Sequence, residues 1–528
     1  MQKISEQLEL YIVNRLKSHP HWRGLKVYYS GHEVAGEGEH KLQAYIRCMR
    51  AEECFVPNQR FCMNGQDADM IMLSLATHEP FFHIVREKTV IDHNKHNSKR
   101  KAKAKAKAKA AAETIGLYQP PFHYVKINVL RKLIVEELRE GCEGLSLNAE
   151  RLIDDFVFLT FFVGNDFIPH PPTLRIGDAA FDVIFEAYKT LMVAKPGRYL
   201  VREGEVEDWE KLEELFQIIG AQETGIFEAN SLLVQSLREN FDAYRVAVVD
   251  SIDMQLYGED EIALHGALES IDISKPMDYR RRYYFEKFGF LIDTTQGKEE
   301  LQNLVKTYVE GVVWCLGYYA SGCISWQWFY PHNFAPLMQD LRDLSFLKSM
   351  ITFSVGKPFL PFQQLLGCLP PHSSDLLPKC YSELMVHASS PLKKYYPQSF
   401  EVDMYGERQS YLGVAILPFI DAQALIECEE SYKCKEKLSE EERNRNTFGH
   451  TVLYSIDDVT GELIRCAILN DTSPGNPFNS ELVPGTLSTI PGFTDSVAGA
   501  VGRCSKDEKA PACTHFLQGK CRRGLFCR

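Results

Sequence analysis

Apolar residues recur at helical spacing from the start of the chain. Ile4, Leu8, Tyr11, Ile12 and Leu16 share one face, which predicts an amphipathic helix over 4–18. Pro20 and Gly24 interrupt that period, and LKVYYSG (25–31) reads as a strand running into a turn. Helical spacing returns in HKLQAYIRCMR, with Leu42, Tyr45, Ile46 and Met49 on one stripe. Strand, acidic loop and helix in that order predict an α/β architecture. From Phe122 to Ile168 the pattern is helical, and it contains the apolar run FVFLTFFV. A loop is expected near 194–208, and a further helical stretch leads into RRRYYFEKFGF (280–290). Aromatic-rich segments fill 308–336 and 353–419. The chain turns polar after Glu427, and from about 469 it is rich in Gly, Ser, Thr and Pro, a composition that predicts disorder.

Composition narrows the class. The 528 residues are 45% hydrophobic and 25% charged, an ordinary globular balance. No apolar run approaches the roughly 18 residues needed to span a bilayer, and the first residues lack a signal-peptide core. The expectation is a soluble intracellular protein with no membrane partner. The fifteen cysteines then read as reduced thiols, most of them buried. A net charge of −12 argues against a simple basic coat for nucleic acid. It leaves room for a metal-dependent enzyme, because carboxylates that hold divalent ions make a site acidic and the ions reverse its local sign.

Three acidic clusters carry candidate chemistry. Glu37 and Glu39 lie two residues apart in the glycine-flanked turn GEGEH, where an extended backbone points both the same way. Asp67 and Asp69 repeat the spacing in QDADM, before the apolar run MIMLSLA. Asp166 follows the glycine that ends a buried element in GNDF. Each cluster has a plainer reading: an exposed acidic turn, an Asp N-cap, a C-cap turn. Together they supply five oxygen ligands, each at the end of an apolar element. Two-metal phosphoryl transfer needs such a set, whereas sugar chemistry needs only a pair.

At these residues a family becomes recognisable. VAGEGEHKLQAYIR, NGQDADMIMLSLATHEPFFHIVRE and FVFLTFFVGNDFIPHPPTLRI resemble the nuclease region of the Xrn 5′→3′ exoribonucleases. A second region of likeness runs through 308–341, 356–385 and 390–421, so the resemblance covers roughly 1–455. It implies a PIN/FEN-like α/β nuclease core followed by a mainly helical region. It also implies removal of nucleoside 5′-monophosphates from single-stranded, 5′-monophosphorylated RNA with Mg²⁺ (or Mn²⁺). By motif match, Glu37, Glu39, Asp67, Asp69 and Asp166 would be the metal-binding acids. Trp326 and Trp328 in SWQW offer aromatic faces for a base, or belong to the core. His40 and His170 flank the acids and read as structural support.

The resemblance also sets an organisation. The nuclease part is expected over 1–192, with a Lys/Ala-rich exposed insertion at 95–113, then a helical region over 209–455 and a flexible linker over 456–508. Relatives carry an earlier stretch with further aspartates and a 5′-phosphate pocket that has no counterpart here. The nuclease core is therefore expected to be incomplete at its N-terminus and the chain inactive, or very weak, alone. The alternative is a catalytically dead RNA-binding or scaffold paralogue. Cys513, Cys521 and Cys527, in 509–528, have CCCH zinc-finger spacing and predict a Zn²⁺ site that lacks its His. The neighbouring Lys520, Arg522 and Arg523 suit RNA. The segment YKCKEKLSEEERNRNTFGHTVLYS resembles the nuclear branch, so a nuclear location and RNA-processing or termination partners are expected.

Overall fold

The computed structural model describes residues 1–87, 122–229, 278–406, 412–468, 475–478, 480, 482 and 486–487. The Lys/Ala-rich tract and the cysteines of the expected zinc finger lie outside these residues, as does most of the 456–508 linker. Every helix named below is among the described residues, and none of those is long and apolar enough to cross a membrane.

The chain begins with α1 (Gln2–Ser18), β1 (Val27–Tyr29), α2 (Gly38–Ala51), β2 (Arg60–Asn64), α3 (Asp69–Ala76) and β3 (Phe81–Glu87). After β4 (Phe122–Lys126) come α4 (Ile127–Arg139), α5 (Ala149–Thr160) and α6 (Ala180–Ala194). β2 and β3 pair in parallel, and β4 adds antiparallel to β3. The fold is mixed α/β, as expected. The stretch from Phe122 is not helical throughout: FHYVK forms β4 before α4 begins, because its partner β3 offers a free edge.

The helical region holds α7 (Trp209–Gly220), α8 (Glu223–Ala229), α9 (Asp278–Phe288) and the long α10 (Thr295–Ser321). The Thr294 hydroxyl caps α10 by accepting from Gly297 N, and Gly322 at φ 103° ends it. One apolar core runs through both regions, from Ile46, Phe82 and Phe158 to Phe216, Trp314 and Met338. The acid-bearing elements and α10 therefore share an interior. A second core gathers Phe362, Leu366, Tyr381, Leu384 and Leu425.

Further along lie β9 (Thr451–Ile456) and β10 (Leu463–Ile468), with the short pairs β5 (Val201–Arg202) with β6 (Glu205–Val206) and β7 (Glu401–Asp403) with β8 (Val414–Ile416) before them. β9 lies between β1 and β10, antiparallel to both. Regular structure thus continues past 455 to Ile468 and ties the chain back to its first strand.

Two predicted helix faces are corrected. In α1 the inward residues are Ser5, Ile12 and Leu16, while Ile4, Leu8 and Tyr11 are exposed. The helix packs on the narrow β1–β9–β10 sheet through Val452 and Tyr454, which takes only one stripe. In α2 the buried residues are His40, Gln43 and Ile46, with Leu42 and Tyr45 exposed. That helix turns its polar edge inward toward α10. The eleven described cysteines are all free. Five are buried and five exposed, so burial is not the rule expected.

Asp155 in α5 shows how the core tolerates charge. It is fully buried and accepts from the Tyr188 hydroxyl at 2.6 Å and from Leu200 N and Val201 N at 2.9 and 3.0 Å. Asp155→Ala strands these three donors, and urea unfolding is expected to show a loss of about 3 kcal/mol or more. Asp155→Asn keeps one acceptor and should lose less; equal losses would contradict this account.

Candidate functional site: a convergent acidic cluster

Glu37 and Glu39 open α2. Glu37 stands at its N-cap position in extended conformation, and Glu39 sits in its first turn. The approach requires Gly36, whose φ is +94°; a methyl group there would meet the Trp326 ring at 3.7 Å. Lys41 steadies the same turn by donating to Val34 O at 2.9 Å.

Asp67 and Asp69 lie where β2 gives way to α3. Asp69 begins the helix, and its amide donates to Asp67 Oδ1 at 3.4 Å. Ala68, not an aspartate, takes the N-cap position and no side chain caps α3, so the Asp N-cap reading does not hold and both acids are left for the cluster.

Asp166 projects from a tight turn after α5. Gly164 takes φ +87°, and a side chain there would press on the His170 backbone at 3.1 Å. Asn165 closes the turn: its Oδ1 accepts from Phe167 N and Ile168 N, both at 2.9 Å.

The structure brings these segments into one electrostatic field. Burial raises Glu37 to about 7, helped by repulsion from Glu39, Asp166 and Asp69. Asp69 is raised by burial, and Asp67, Asp166 and Glu39 push it further up. Glu39 and Asp166 thus act on both Glu37 and Asp69, while Asp67 enters the field through Asp69.

The groups that hold them come from α10, and the sequence analysis passed over them. The Tyr319 hydroxyl donates to Asp69 Oδ2 at 2.8 Å. Tyr318 lies beside Glu37, whose pKa it draws down against burial, and stacks on His40 at 3.6 Å between ring centroids. The signal was the Tyr-Tyr pair ending an apolar helical run in LGYYASG, but only tertiary contact reveals its partners. His40 is 6% exposed, and its Nε2 lies 3.7 Å from Glu37 Oε2. Burial, aided by Arg47, pushes its pKa down to about 3, so the ring is neutral near pH 7. His170 bonds Pro171 O through Nδ1 at 2.8 Å and rests near Tyr405, a structural placement.

The two tryptophans separate. Trp328 stacks on Trp314 at 5.3 Å and meets Phe353 edge-on, so it belongs to the packing around α10. Trp326 lies over the acidic turn at Gly36, and its indole Nε1 is buried with no hydrogen-bond partner among the described residues.

The donor chemistry fits a hard divalent cation: oxygen ligands whose mutual repulsion is unrelieved. The arrangement does not form a closed cage. Among the described residues no three His, Cys, Asp or Glu side chains are gathered tightly enough to hold one ion.

Acids from three segments at the ends of strands and helices thus lie together in the α/β part of the chain. Residues 1–88 match the family described as "XRN 5'-3' exonuclease N-terminus", and residues 146–262 and 272–501 match "Xrn1 helical domain". The chain belongs to the Xrn family. The helical-domain match begins before Asp166, so the acids divide between the two matched regions. The chain is 31% identical to 5'-3' exoribonuclease 2 of Arabidopsis thaliana, over 97% of the chain and 58% of that protein. It is 32% identical to 5'-3' exoribonuclease 1 of Homo sapiens, over 87% of the chain and 27% of that protein. The 5'-3' exoribonuclease 2 homolog of Drosophila melanogaster is 32% identical, with 86% and 55% covered. The chain thus spans between about a quarter and three fifths of these relatives.

The raised Glu37 has a testable consequence. Its carboxyl holds a proton up to about pH 7 in the folded chain but only to about 4.5, its ordinary value, when unfolded. Between those values the folded state binds more protons, so stability falls as pH rises through that window. In EDTA, Tm should decline across pH 4.5–7. Glu37→Gln should flatten the decline, and an unchanged slope would remove Glu37 as its source.

Proposed function

We propose that this chain carries the acidic half of a 5′→3′ exoribonuclease site, hydrolysing 5′-monophosphorylated RNA to nucleoside 5′-monophosphates. The observation that supports the reading most is the convergence of Glu37, Glu39, Asp67, Asp69 and Asp166 from three segments into one field. Family membership and the relatives' names point the same way. Mg²⁺ or Mn²⁺, bound by these acids in a two-metal arrangement, would supply positive charge to the scissile phosphate. The chain's residues do the rest. Tyr319 orients Asp69, and Tyr318 orients Glu37. Trp326, beside the acidic turn, offers a face for the terminal base. Trp328, packed on Trp314, serves as the wall behind it.

Residues 1–528 alone are expected to act weakly, since no three ligands yet converge on one ion among the described residues. The same observation favours a second reading, an RNA-binding or scaffold member of the family without catalysis. Zn²⁺ held by Cys513, Cys521 and Cys527 belongs to the proposal on spacing alone. So do a nuclear location and RNA-processing or termination partners, on the likeness of the segment that begins at Tyr432.

The experiment offers purified chain a 5′-monophosphorylated RNA with Mg²⁺ or Mn²⁺. Slow release of 5′-mononucleotides from the 5′ end is expected, reduced about a thousandfold by Asp69→Ala. Shortening from the 3′ end, or cleavage indifferent to Asp69→Ala, would refute the reading. Binding without any cleavage would select the second one. Rapid processive digestion would overturn only the expectation of weakness.

A further inference from the structure

A short segment far from the acids in sequence sits at the other end of the seam that holds them. Gly475 N donates to Ser321 O at 2.8 Å, and Phe478 N donates to Ala320 O at 3.4 Å. Residues 475–478 therefore bind along the C-terminal end of α10, directly after Tyr318 and Tyr319. The Phe478 side chain turns onto α2. It is 7% exposed, and the Arg47 and Arg50 guanidinium groups lie over its ring at 5.4 and 5.5 Å. Arg47 also donates to Ala320 O at 3.4 Å. Arg50 reaches Thr77 O beyond α3 and lies 3.6 Å from Glu79. Farther along, Leu487 N donates to Asn58 Oδ1 at 2.8 Å, in the loop between α2 and β2.

These contacts share a geometry. His40, Gln43, Arg47 and Arg50 follow a three-and-four spacing, so they line one face of α2. At the front of that face His40 stacks on Tyr318 beneath Glu37. At the back Arg47 and Arg50 stack on Phe478, which is itself bonded to Ala320. One seam between α2 and α10 thus has the acids at one end and this segment at the other. An α-helix transmits a tilt along its length. A 1 Å displacement of a positioned group is enough to lower a rate about a hundredfold.

We infer that residues 475–478 are a strap that sets the position of Glu37 and Glu39, with Phe478 and Arg47 as positioning residues for the acidic site. The inference rests on the proposed function in taking a divalent cation as the ligand of those acids. It does not rest on that function in assigning the strap to α2.

The test uses the full 528-residue chain with Phe478→Ala and Phe478→Tyr. Two readouts are taken: the Mn²⁺ binding midpoint, followed by electron paramagnetic resonance, and amide hydrogen exchange over α2. Phe478→Ala is expected to raise the Mn²⁺ midpoint about tenfold, the usual effect of losing a group that supports metal ligands. It should also speed exchange in α2, including Lys41 N, which bonds Glu37 O. Exchange in the Phe362–Leu425 core should not change. Phe478→Tyr keeps the aromatic face and should stay within about twofold of the parent on both readouts. If Phe478→Ala does not fold, Phe478→Leu takes its place and should show the same direction. Parental exchange in α2 for the folded variant overturns the strap. So does a parental Mn²⁺ midpoint in a chain that binds Mn²⁺. If the parent binds no Mn²⁺, the proposed function fails, and the exchange readout still decides the strap.

Discussion

The burial of Glu37 and Asp69 among further carboxylates that repel them is the constraint on which the rest of this structure turns. Two like charges about 5 Å apart at an effective dielectric near 20 repel by about 3 kcal/mol. A chain that gathers five needs rigid reasons for doing so. Here the reasons are the two long buried helices behind them. α5 is buried along most of its length, and its Phe158 meets Phe161 and Phe162 edge-on, which in turn pack against Tyr319 and Phe216. α10 runs through the same core and delivers its two tyrosines at the acids. Core packing thus holds the backbone ends in place while the acids oppose them.

The contacts that steady the acids are neutral ones. Tyr319 hydrogen-bonds Asp69 and Tyr318 lies beside Glu37, and burial raises both hydroxyl pKa values, so both stay protonated and neutral. His40 lies closest to Glu37 among the imidazoles, and burial keeps it uncharged. A lysine or arginine in their place would cancel the repulsion that adds to burial in raising Glu37. Neutral donors fix orientation and leave the negative charge for a cation. The cationic groups nearby are used elsewhere: Lys41 holds the loop at Val34, and Arg47 and Arg50 turn to Phe478 and the carbonyls of Ala320 and Thr77.

Much of this was legible in the sequence. The i, i+2 acids, the glycines at 36 and 164 and the apolar runs beside them carry local instructions, and local instructions can be read one segment at a time. The helix expected over 4–18, the strand over 25–31 and the helix over 40–50 came from the same kind of signal, and they stand at 2–18, 27–29 and 38–51. What failed was the facing of helices. The apolar stripe Ile4, Leu8, Tyr11 is a sound prediction of a helix and a poor one of its buried side, because the partner sheet is narrow. In α2 the buried side is polar, chosen by Tyr318 and Phe478 from far along the chain. Period alone cannot report a partner hundreds of residues away. The two tryptophans show the same limit, since SWQW gives no sign that one indole faces Trp314 and the other Gly36.

The seam between α2 and α10 therefore carries more than packing. It joins a helix that begins with two of the acids to a helix that ends with the two tyrosines set against them. The shared core means that these regions cannot be positioned independently, although the family matches divide them. That division falls between Asp69 and Asp166, so neither matched region contains the whole cluster. A site assembled across such a seam is only as well defined as the contacts that fix the two helices, and those contacts include residues that never meet the acids.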